Sequence, residues 1–315
     1  MSVYTSINGG ELAEFLAAYS VGTLVDFEGI SEGIENTNYF VTTTKTRYVL
    51  TLFEQLKFDE LPYFLNIMAF LSEHEVPSAH PIADKQQHFL RRLKGKPAAL
   101  VQCLAGKSIE QPTLDHCRSL GAALGRFHRH SQMFQGHRDN MRGPAWWQES
   151  IRNLRSVVDP ESAKWMGDEI EFQAHYQQID LPQGVIHADL FRDNALFEGN
   201  QLSGIIDFYY ACNDALLYDI AVVANDWCSQ PDGSFYRDKL DALLSAYDIE
   251  RPLQQCEKKV WGVMLRASAL RFWLSRLQDL HFPRPGEMTH TKDPDVFARI
   301  FKHRVTHFDA LQATW

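Results

Sequence analysis

Residues 184–211 read GVIHADLFRDNALFEGNQLSGIIDFYYA, and this stretch decides the expected fold. The pattern H-x-D-x-x-x-x-N places Asp189 two residues after His187 and Asn194 five residues after Asp189. Asp207 follows the next apolar run, GII. Because short apolar stretches flank all of these residues, we expect their side chains on loops between short strands.

The residue types in this stretch indicate phosphoryl transfer from metal-bound ATP. A carboxylate such as Asp189 can accept the proton of a substrate hydroxyl, and the amide oxygen of Asn194 can bind a metal without adding charge. Asp207 can bind the same metal from the other side, so we expect the three side chains to converge around a divalent ion. Since Asp and Asn also favour turns, the hypothesis depends on their occurring together at this spacing.

The rest of the chain divides into a β-rich part and a helical part. Alternating β-branched and aromatic residues predict a hairpin over 39–53 and further strands over 89–93 and 98–104. Helical spacing predicts helices over 8–20, 58–75, 113–130, 145–158, 161–177, 215–228, 235–247 and 255–280. We therefore predict an α+β protein with a small antiparallel-sheet lobe, residues 1–103, and a larger, mainly helical lobe, residues 104–315.

Composition excludes several classes of function. The 315 residues include 40 acidic and 31 basic side chains, a formal charge of −9, which argues against a non-specific nucleic-acid binder and against docking on anionic membranes. Apolar runs fall short of the ~20 residues that span a bilayer, and the start lacks the pattern of a signal peptide. Five cysteines without C-x-x-C spacing favour a reducing compartment, so we expect a cytoplasmic protein.

The motifs HADLFRDN and IIDFYYA together resemble those of the aminoglycoside-phosphotransferase-like and choline-kinase-like small-molecule kinases. More narrowly, the chain resembles the homoserine kinases built on that fold, through GISEGIENTNYFV (29–41), RYVLTLFE (47–54), HADLFRDNALF (187–197) and IIDFYYACNDALLYDIAVVANDW (205–227). The resemblance implies a bilobal protein-kinase-like fold, ATP as co-substrate and Mg²⁺ as cofactor. It also implies a small amino-acid acceptor, homoserine, phosphorylated on its hydroxyl on the route to threonine.

The resemblance assigns roles to the positions that match the motifs. Asp189 would orient and deprotonate the acceptor hydroxyl, and Asn194 and Asp207 would bind magnesium. His187 and Asp219 would support the catalytic loop.

The resemblance also implies where ATP binds. Residues 29–38 would cover the phosphates, and residues 101–104 would form a hinge that meets adenine through backbone groups. The implied ATP-binding residues are Gly33, Asn36, Asn38, Gln102, Cys103 and Leu104.

Thr51 departs from the pattern of these kinases, which usually carry a Lys or Arg at its position. An uncharged hydroxyl cannot supply the positive charge that neutralises the phosphates, and neither Arg47 nor Lys57 is an evident substitute. Glu32 and Glu35 make the phosphate loop acidic as well. These departures leave open a second hypothesis, a pseudokinase or nucleotide-sensing module without catalysis.

The acceptor site is less defined by the sequence. A zwitterionic acceptor needs a cation for its carboxylate and an anion for its ammonium group. Proximity to the motifs or residue type suggests four candidates, which are Arg192, Asp214, Asp226 and Arg271. The acidic chain is equally compatible with another small alcohol, such as choline or an aminoglycoside.

Two further segments are expected to be structural. The HRH sequence at 128–130 closes the helix that begins after Thr113, so we expect a solvated helix end there. The stripe Trp261, Leu265, Phe272 and Trp273 is expected to pack in the core.

Overall fold

The computed structural model describes residues 4–30, 36–176, 179–283 and 292–313. The chain forms two compact units, the first running to Gly106 and the second beginning at Lys107. The sequence prediction set this boundary a few residues earlier, at Cys103. The predicted α+β class is confirmed, because an antiparallel sheet makes up much of the first unit and helices make up most of the second.

The first unit is built on a five-stranded antiparallel sheet in the order β1-β2-β3-β5-β4. Its strands are β1 (Leu24–Gly29), β2 (Thr37–Thr43), β3 (Arg47–Leu52), β4 (Leu90–Leu93) and β5 (Lys96–Gln102), and its helices are α1 (Gly9–Leu16) and α2 (Leu61–Glu73). The β2–β3 hairpin pairs Asn38 with Thr51 and Tyr39 with Leu50. This hairpin was predicted from the alternation of β-branched and aromatic residues.

The two faces of this sheet carry different residues. Tyr39, Leu50 and Leu100 are buried on one face together with Leu12 and Phe15 of α1. Because side chains alternate along a strand, the neighbouring residues of each strand lie on the opposite face. The register places three of these side by side, namely Asn38, Thr51 and Ala99.

The second unit contains nine helices among the described residues. They are α3 (Leu114–Ser131), α4 (Pro144–Leu154), α5 (Pro160–Ala174), α6 (Leu216–Trp227), α7 (Arg237–Glu250), α8 (Gln255–Lys258), α9 (Trp261–His281), α10 (Pro294–Thr306) and α11 (Phe308–Gln312). Thr113 caps α3 through a capping box with His116, as its position predicted. The single helix predicted over 255–280 is wrong, since the chain forms α8 and then starts α9 at Trp261.

Two short antiparallel pairs of strands lie between the helices and carry the motif of residues 184–211. Strand β6 (Gln183–Ile186) pairs with β9 (Cys212–Ala215), and β7 (Ala195–Glu198) pairs with β8 (Gln201–Ile205). The segment between β6 and β7 contains a turn of 3₁₀ helix over Arg192–Asn194, and another turn, Phe208–Tyr210, follows β8. The motif residues therefore lie on loops at strand ends, as the sequence indicated.

Core packing in the second unit follows the predicted aromatic stripe, since Trp261, Leu265, Phe272 and Trp273 are all buried. The five cysteines carry free thiols. Over the ranges given above, none of the helices combines the length and the apolar character needed to cross a bilayer.

Candidate active site

The loop that carries Asp189 is held from its buried side by Asp219 of α6. Asp219 is fully buried, and its Oδ2 accepts a hydrogen bond from the His187 N–H at 2.8 Å while its Oδ1 accepts one from the Ala188 N–H at 2.9 Å. Ala188 has a φ of 62°, a left-handed conformation that costs a non-glycine residue about 1–2 kcal/mol. Asp219 therefore holds a strained backbone immediately before Asp189.

A buried chain of hydrogen bonds supports Asp219 in turn. The His128 Nε2–H donates to Asp219 Oδ2 at 3.1 Å, and His128 Nδ1 lies 2.8 Å from the Tyr247 hydroxyl. Arg251 donates to that hydroxyl at 3.1 Å and is ion-paired with Glu257 at 2.9 Å. The Tyr247 hydroxyl thus accepts from Arg251 and donates to His128 Nδ1, which leaves His128 Nε2–H as the donor to Asp219.

The solvated helix end expected at 128–130 is wrong for His128, which is fully buried. The signal was present in the sequence, because His128 follows Leu124 by four residues and so shares the apolar face of α3. Burial lowers the pKa of His128, against the opposing effect of Asp219. For Asp219, burial acts to raise the pKa, but the hydrogen bond and charge of His128 outweigh it and keep the pKa low.

His187 joins the Asp189 loop to the strand that leads into Asp207. Its Nε2 lies 2.9 Å from the Ile206 carbonyl oxygen, and its Nδ1 accepts a hydrogen bond from the Asp189 N–H at 3.3 Å. Burial lowers the pKa of His187, so the ring is neutral, donating through Nε2 and accepting through Nδ1. A single tautomer of the His187 ring therefore bonds to both loops.

Asn194 contacts Asp189 directly. Its Nδ2 donates to the Asp189 carbonyl at 2.8 Å and lies 3.3 Å from Asp189 Oδ2. The Ile206 N–H donates to the Asn194 carbonyl at 3.0 Å, so Asp207, the next residue, sits at the same end of the β7–β8 hairpin. Asp207 has a φ of 64°, a second left-handed residue at this site.

These residues fit a magnesium ion. Because the Asn194 amide nitrogen is committed to Asp189, the amide oxygen is the atom that faces a ligand, and no protein donor bonds to it within the described ranges. Mg²⁺ prefers one or two protein oxygens, with waters and phosphate oxygens completing its shell.

The four acceptor candidates fall in different places. Arg192 and Asp226 bind each other, with Arg192 donating through its backbone N–H at 2.9 Å and its Nε at 3.1 Å. Asp214 accepts from Asn140 at 2.6 Å, and burial raises its pKa. Arg271 of α9 is the candidate at the catalytic loop, because its Nη1 lies 3.4 Å from Asp189 Oδ1.

The predicted ATP-binding residues that are described belong to the first unit. Gly33 lies outside the described residues. Asn36 accepts a hydrogen bond from the Glu54 N–H at 3.4 Å, and Asn38 Oδ1 accepts one from the Thr51 hydroxyl at 2.8 Å. Of the residues predicted to form the hinge, Gln102 ends β5, and Cys103 and Leu104 follow it.

Lys96 does not take the position of the lysine that Thr51 replaces. Thr37 pairs with Leu52, so both lie on the α1 face of the sheet. The Thr37 hydroxyl donates to Glu54 at 2.6 Å, and Lys96 is ion-paired with the same carboxylate. Thr51 points to the opposite face, where it is buried beside Asn38.

Comparison with known proteins places this chain in a family. Residues 26–253 match the phosphotransferase enzyme family. The homoserine kinase of Methylobacillus flagellatus is 46% identical over 315 residues, covering 100% of this chain and 99% of that protein. The homoserine kinase of Neisseria meningitidis serogroup B is 43% identical, covering 95% of this chain and 98% of that protein.

Solved structures show the same fold at low sequence identity. Amicoumacin kinase hAmiN superimposes with a TM-score of 0.70 at 14% identity, covering 96% of this chain and 94% of that one. A microcompartment-associated aminopropanol kinase gives a TM-score of 0.69 at 18% identity, covering 97% and 99%. The predicted protein-kinase-like fold of small-molecule kinases is thereby confirmed.

Proposed function

We propose that this chain, which belongs to the phosphotransferase enzyme family, is a homoserine kinase that transfers the γ-phosphate of ATP to the hydroxyl of L-homoserine. The product is O-phospho-L-homoserine, an intermediate on the route to threonine. The observation that carries the proposal is the Asp189 carboxylate, held between Asn194 at 3.3 Å and Arg271 at 3.4 Å. Homoserine as acceptor is supported by full-length relatives 40–46% identical to this chain.

The mechanism assigned to these residues is direct in-line transfer. Asp189 orients the acceptor hydroxyl and takes its proton as the oxygen attacks phosphorus. Asn194 and Asp207 supply oxygen ligands for Mg²⁺, which when bound neutralises charge on the transferring phosphate. Asp219 and His187 position the loop, and much of the acceleration comes from this positioning.

We further propose that the enzyme works in the cytoplasm with Mg²⁺ and ATP, on a small amino acid and without a nucleic-acid or membrane partner. Asn36, Asn38, Gln102, Cys103 and Leu104, together with Gly33, are the residues we assign to ATP. Of the acceptor candidates, Arg271 is the one we assign to substrate. Arg192 and Asp226 neutralise each other, and Asp214 is hydrogen-bonded to Asn140, so we assign these three residues a structural role.

A coupled assay of ADP release tests the proposal. Homoserine, choline and kanamycin are compared as acceptors with Mg·ATP, and the thermal shift caused by Mg·ATP alone is measured on the same sample. We expect homoserine to give the highest kcat/KM. Faster turnover of choline or kanamycin would assign another acceptor, and a thermal shift without ADP formation from any acceptor would identify a nucleotide sensor.

The Asp207→Ala variant is expected to weaken magnesium-dependent nucleotide binding about tenfold or more, because it removes the charged ligand of the proposed ion. Calorimetric titration with ATP in the presence and absence of Mg²⁺ measures this effect. Asp241→Ala is the matched control, since Asp241 is an exposed carboxylate on α7 paired with Arg237. An unchanged Mg·ATP affinity in Asp207→Ala would remove Asp207 from the metal site.

The Thr51→Val variant is expected to raise the KM for ATP about fivefold, the effect of losing one net hydrogen bond. The Thr51 hydroxyl donates to Asn38 Oδ1 and so turns the Asn38 amide nitrogen outward as a donor for phosphate oxygens. Valine keeps the shape and β-branching of threonine, and Thr51→Ser keeps the hydroxyl as a control. Adenosine affinity should stay unchanged, and an equal loss for adenosine and ATP would contradict this role.

A further inference from the structure

Arg271 is a buried cation with few protein partners. Only 4% of the residue is exposed, yet within the described ranges its guanidinium makes a single hydrogen bond, the one to Asp189 at 3.4 Å. A guanidinium carries five N–H donors, and buried donors without acceptors are costly. Among the described residues, no nitrogen of Arg271 is a fully buried polar atom without a partner, so its remaining donors reach solvent beside the catalytic carboxylate. An anionic ligand group at that place would accept hydrogen bonds from them.

A second cation contacts the same aromatic ring as Arg271. The Arg271 Cζ is 5.2 Å from the centroid of the Tyr210 ring, and the Arg142 Cζ is 5.7 Å from the same centroid. Arg142 also stacks on Trp146 at 4.6 Å. No acidic side chain pairs with Arg142 in the described part of the chain.

The backbone that carries Arg142 is fixed to the same part of the fold. The Arg142 N–H donates to Asn140 Oδ1 at 2.8 Å, and Asn140 Nδ2 donates to Asp214 Oδ2 at 2.6 Å. Asp214 belongs to β9, which follows the turn that contains Tyr210. The backbone of Arg142, directly before α4, is therefore fixed to β9 through Asn140.

The local charge favours an anion at this place. Arg142 and Arg271 bring two positive charges to the Tyr210 ring, and Asp189 is the one carboxylate that pairs with either of them among the described residues. In homoserine three carbon atoms separate the hydroxyl oxygen from the carboxylate carbon, a reach of about 5 Å at ordinary bond lengths. Because the Arg271 Nη1 lies 3.4 Å from Asp189 Oδ1, a hydroxyl at Asp189 leaves the acceptor carboxylate within reach of the Arg271 guanidinium.

We propose that Arg142 and Arg271, which both contact the Tyr210 ring, form a carboxylate subsite that makes the enzyme select α-amino acids over amino alcohols. The inference rests on the proposed function and adds that the enzyme recognises the carboxylate of the acceptor. Arg271 contacts both the carboxylate and Asp189, and Arg142 contributes specificity without touching the reacting atoms. The ligand chemistry is bidentate pairing of guanidinium with carboxylate.

The test compares homoserine with 3-aminopropan-1-ol, which is homoserine without its carboxylate. For Arg142→Gln we expect kcat/KM with homoserine to fall about tenfold to a hundredfold, the typical effect of losing a charge-assisted hydrogen bond. The kcat/KM for 3-aminopropan-1-ol should stay within about twofold of the wild-type value. Arg142→Lys keeps the charge and should recover part of the loss, and Arg152→Gln, an exposed position on α4, is the matched control.

The outcomes separate this inference from the proposed function. Equal losses for both acceptors in Arg142→Gln, or no loss for homoserine, would overturn the subsite while leaving kinase activity intact. A wild-type enzyme that uses both acceptors equally well would overturn it in the same way. A wild-type enzyme that releases no ADP with homoserine would overturn the proposed function and the subsite together.

Discussion

The Asp189→Ala variant is expected to lose about 10²–10⁴-fold in kcat with homoserine, the usual contribution of a positioned general base. Asp189 contacts Asn194 and Arg271 and follows the strained Ala188, so its carboxylate is held in place before substrate binds. The loss should belong to the chemical step, because the residues that we propose for Mg·ATP do not include Asp189. Steady-state ADP release measures it.

Two controls make this result specific. Asp189→Asn keeps the volume of the side chain and one acceptor oxygen but removes the base, and it should fall as far in kcat as the alanine variant. Mg·ATP affinity, measured by calorimetry, should stay within about threefold of wild type in both variants, below the ~1 kcal/mol that one hydrogen bond contributes. Wild-type turnover in either variant would exclude Asp189 as the base.

The Asp219→Asn variant is expected to lower the free energy of unfolding by about 3 kcal/mol and kcat by about 10²-fold, the largest structural effect we foresee. Asparagine replaces one acceptor oxygen with an NH₂ group, which would face the backbone N–H of His187 or Ala188 or the ring of His128. A buried donor is then unsatisfied, and the left-handed Ala188 loses its support. Urea denaturation and ADP release measure the two effects.

Tyr247→Phe is the matched control for the Asp219 prediction. It removes one hydroxyl from the far side of His128 and leaves the bonds to the catalytic loop in place, so we expect a loss of about 1 kcal/mol in stability and a much smaller effect on kcat. Wild-type stability in Asp219→Asn would show that the buried bonds do not hold the loop. A kcat loss in Tyr247→Phe as large as in Asp219→Asn would place the positioning role elsewhere.

The sequence predicted where the motif residues lie in the fold, since that placement depends on local structure. The spacing of His187, Asp189 and Asn194 puts them on one loop, and the apolar run before Asp207 forms the strand that returns to that loop. Such relations are local, so they can be deduced from alternation and turn preference. The β2–β3 hairpin and the Thr113 cap of α3 were predictable for the same reason.

Other features depended on contacts between distant segments. Strand β9 is short and contains Asn213 and Asp214, residue types that disfavour strands, and it forms because it pairs with β6. His128 binds Asp219, which is 91 residues away, and Arg192 pairs with Asp226, which is 34 residues away. No local pattern reveals these pairings.

The acceptor residues show this limit most clearly. Residue type and proximity suggested four candidates, yet only Arg271 lies against Asp189. Arg142 was not among the candidates, because its relation to the site depends on the Tyr210 ring and on Asn140. The tertiary fold decides which charged side chains are paired with each other and which are left for a ligand.

The most direct test of the central claim is to identify the phosphorylated product. Wild-type enzyme and Asp189→Ala are incubated with γ-labelled Mg·ATP and L-homoserine, and the label is followed by ³¹P NMR and mass spectrometry. We expect label on the homoserine hydroxyl oxygen with wild type, and a rate reduced by about 10²-fold or more with the variant. Label that never reaches homoserine would exclude it as the acceptor, and label that reaches it equally fast in both proteins would exclude Asp189 as the base.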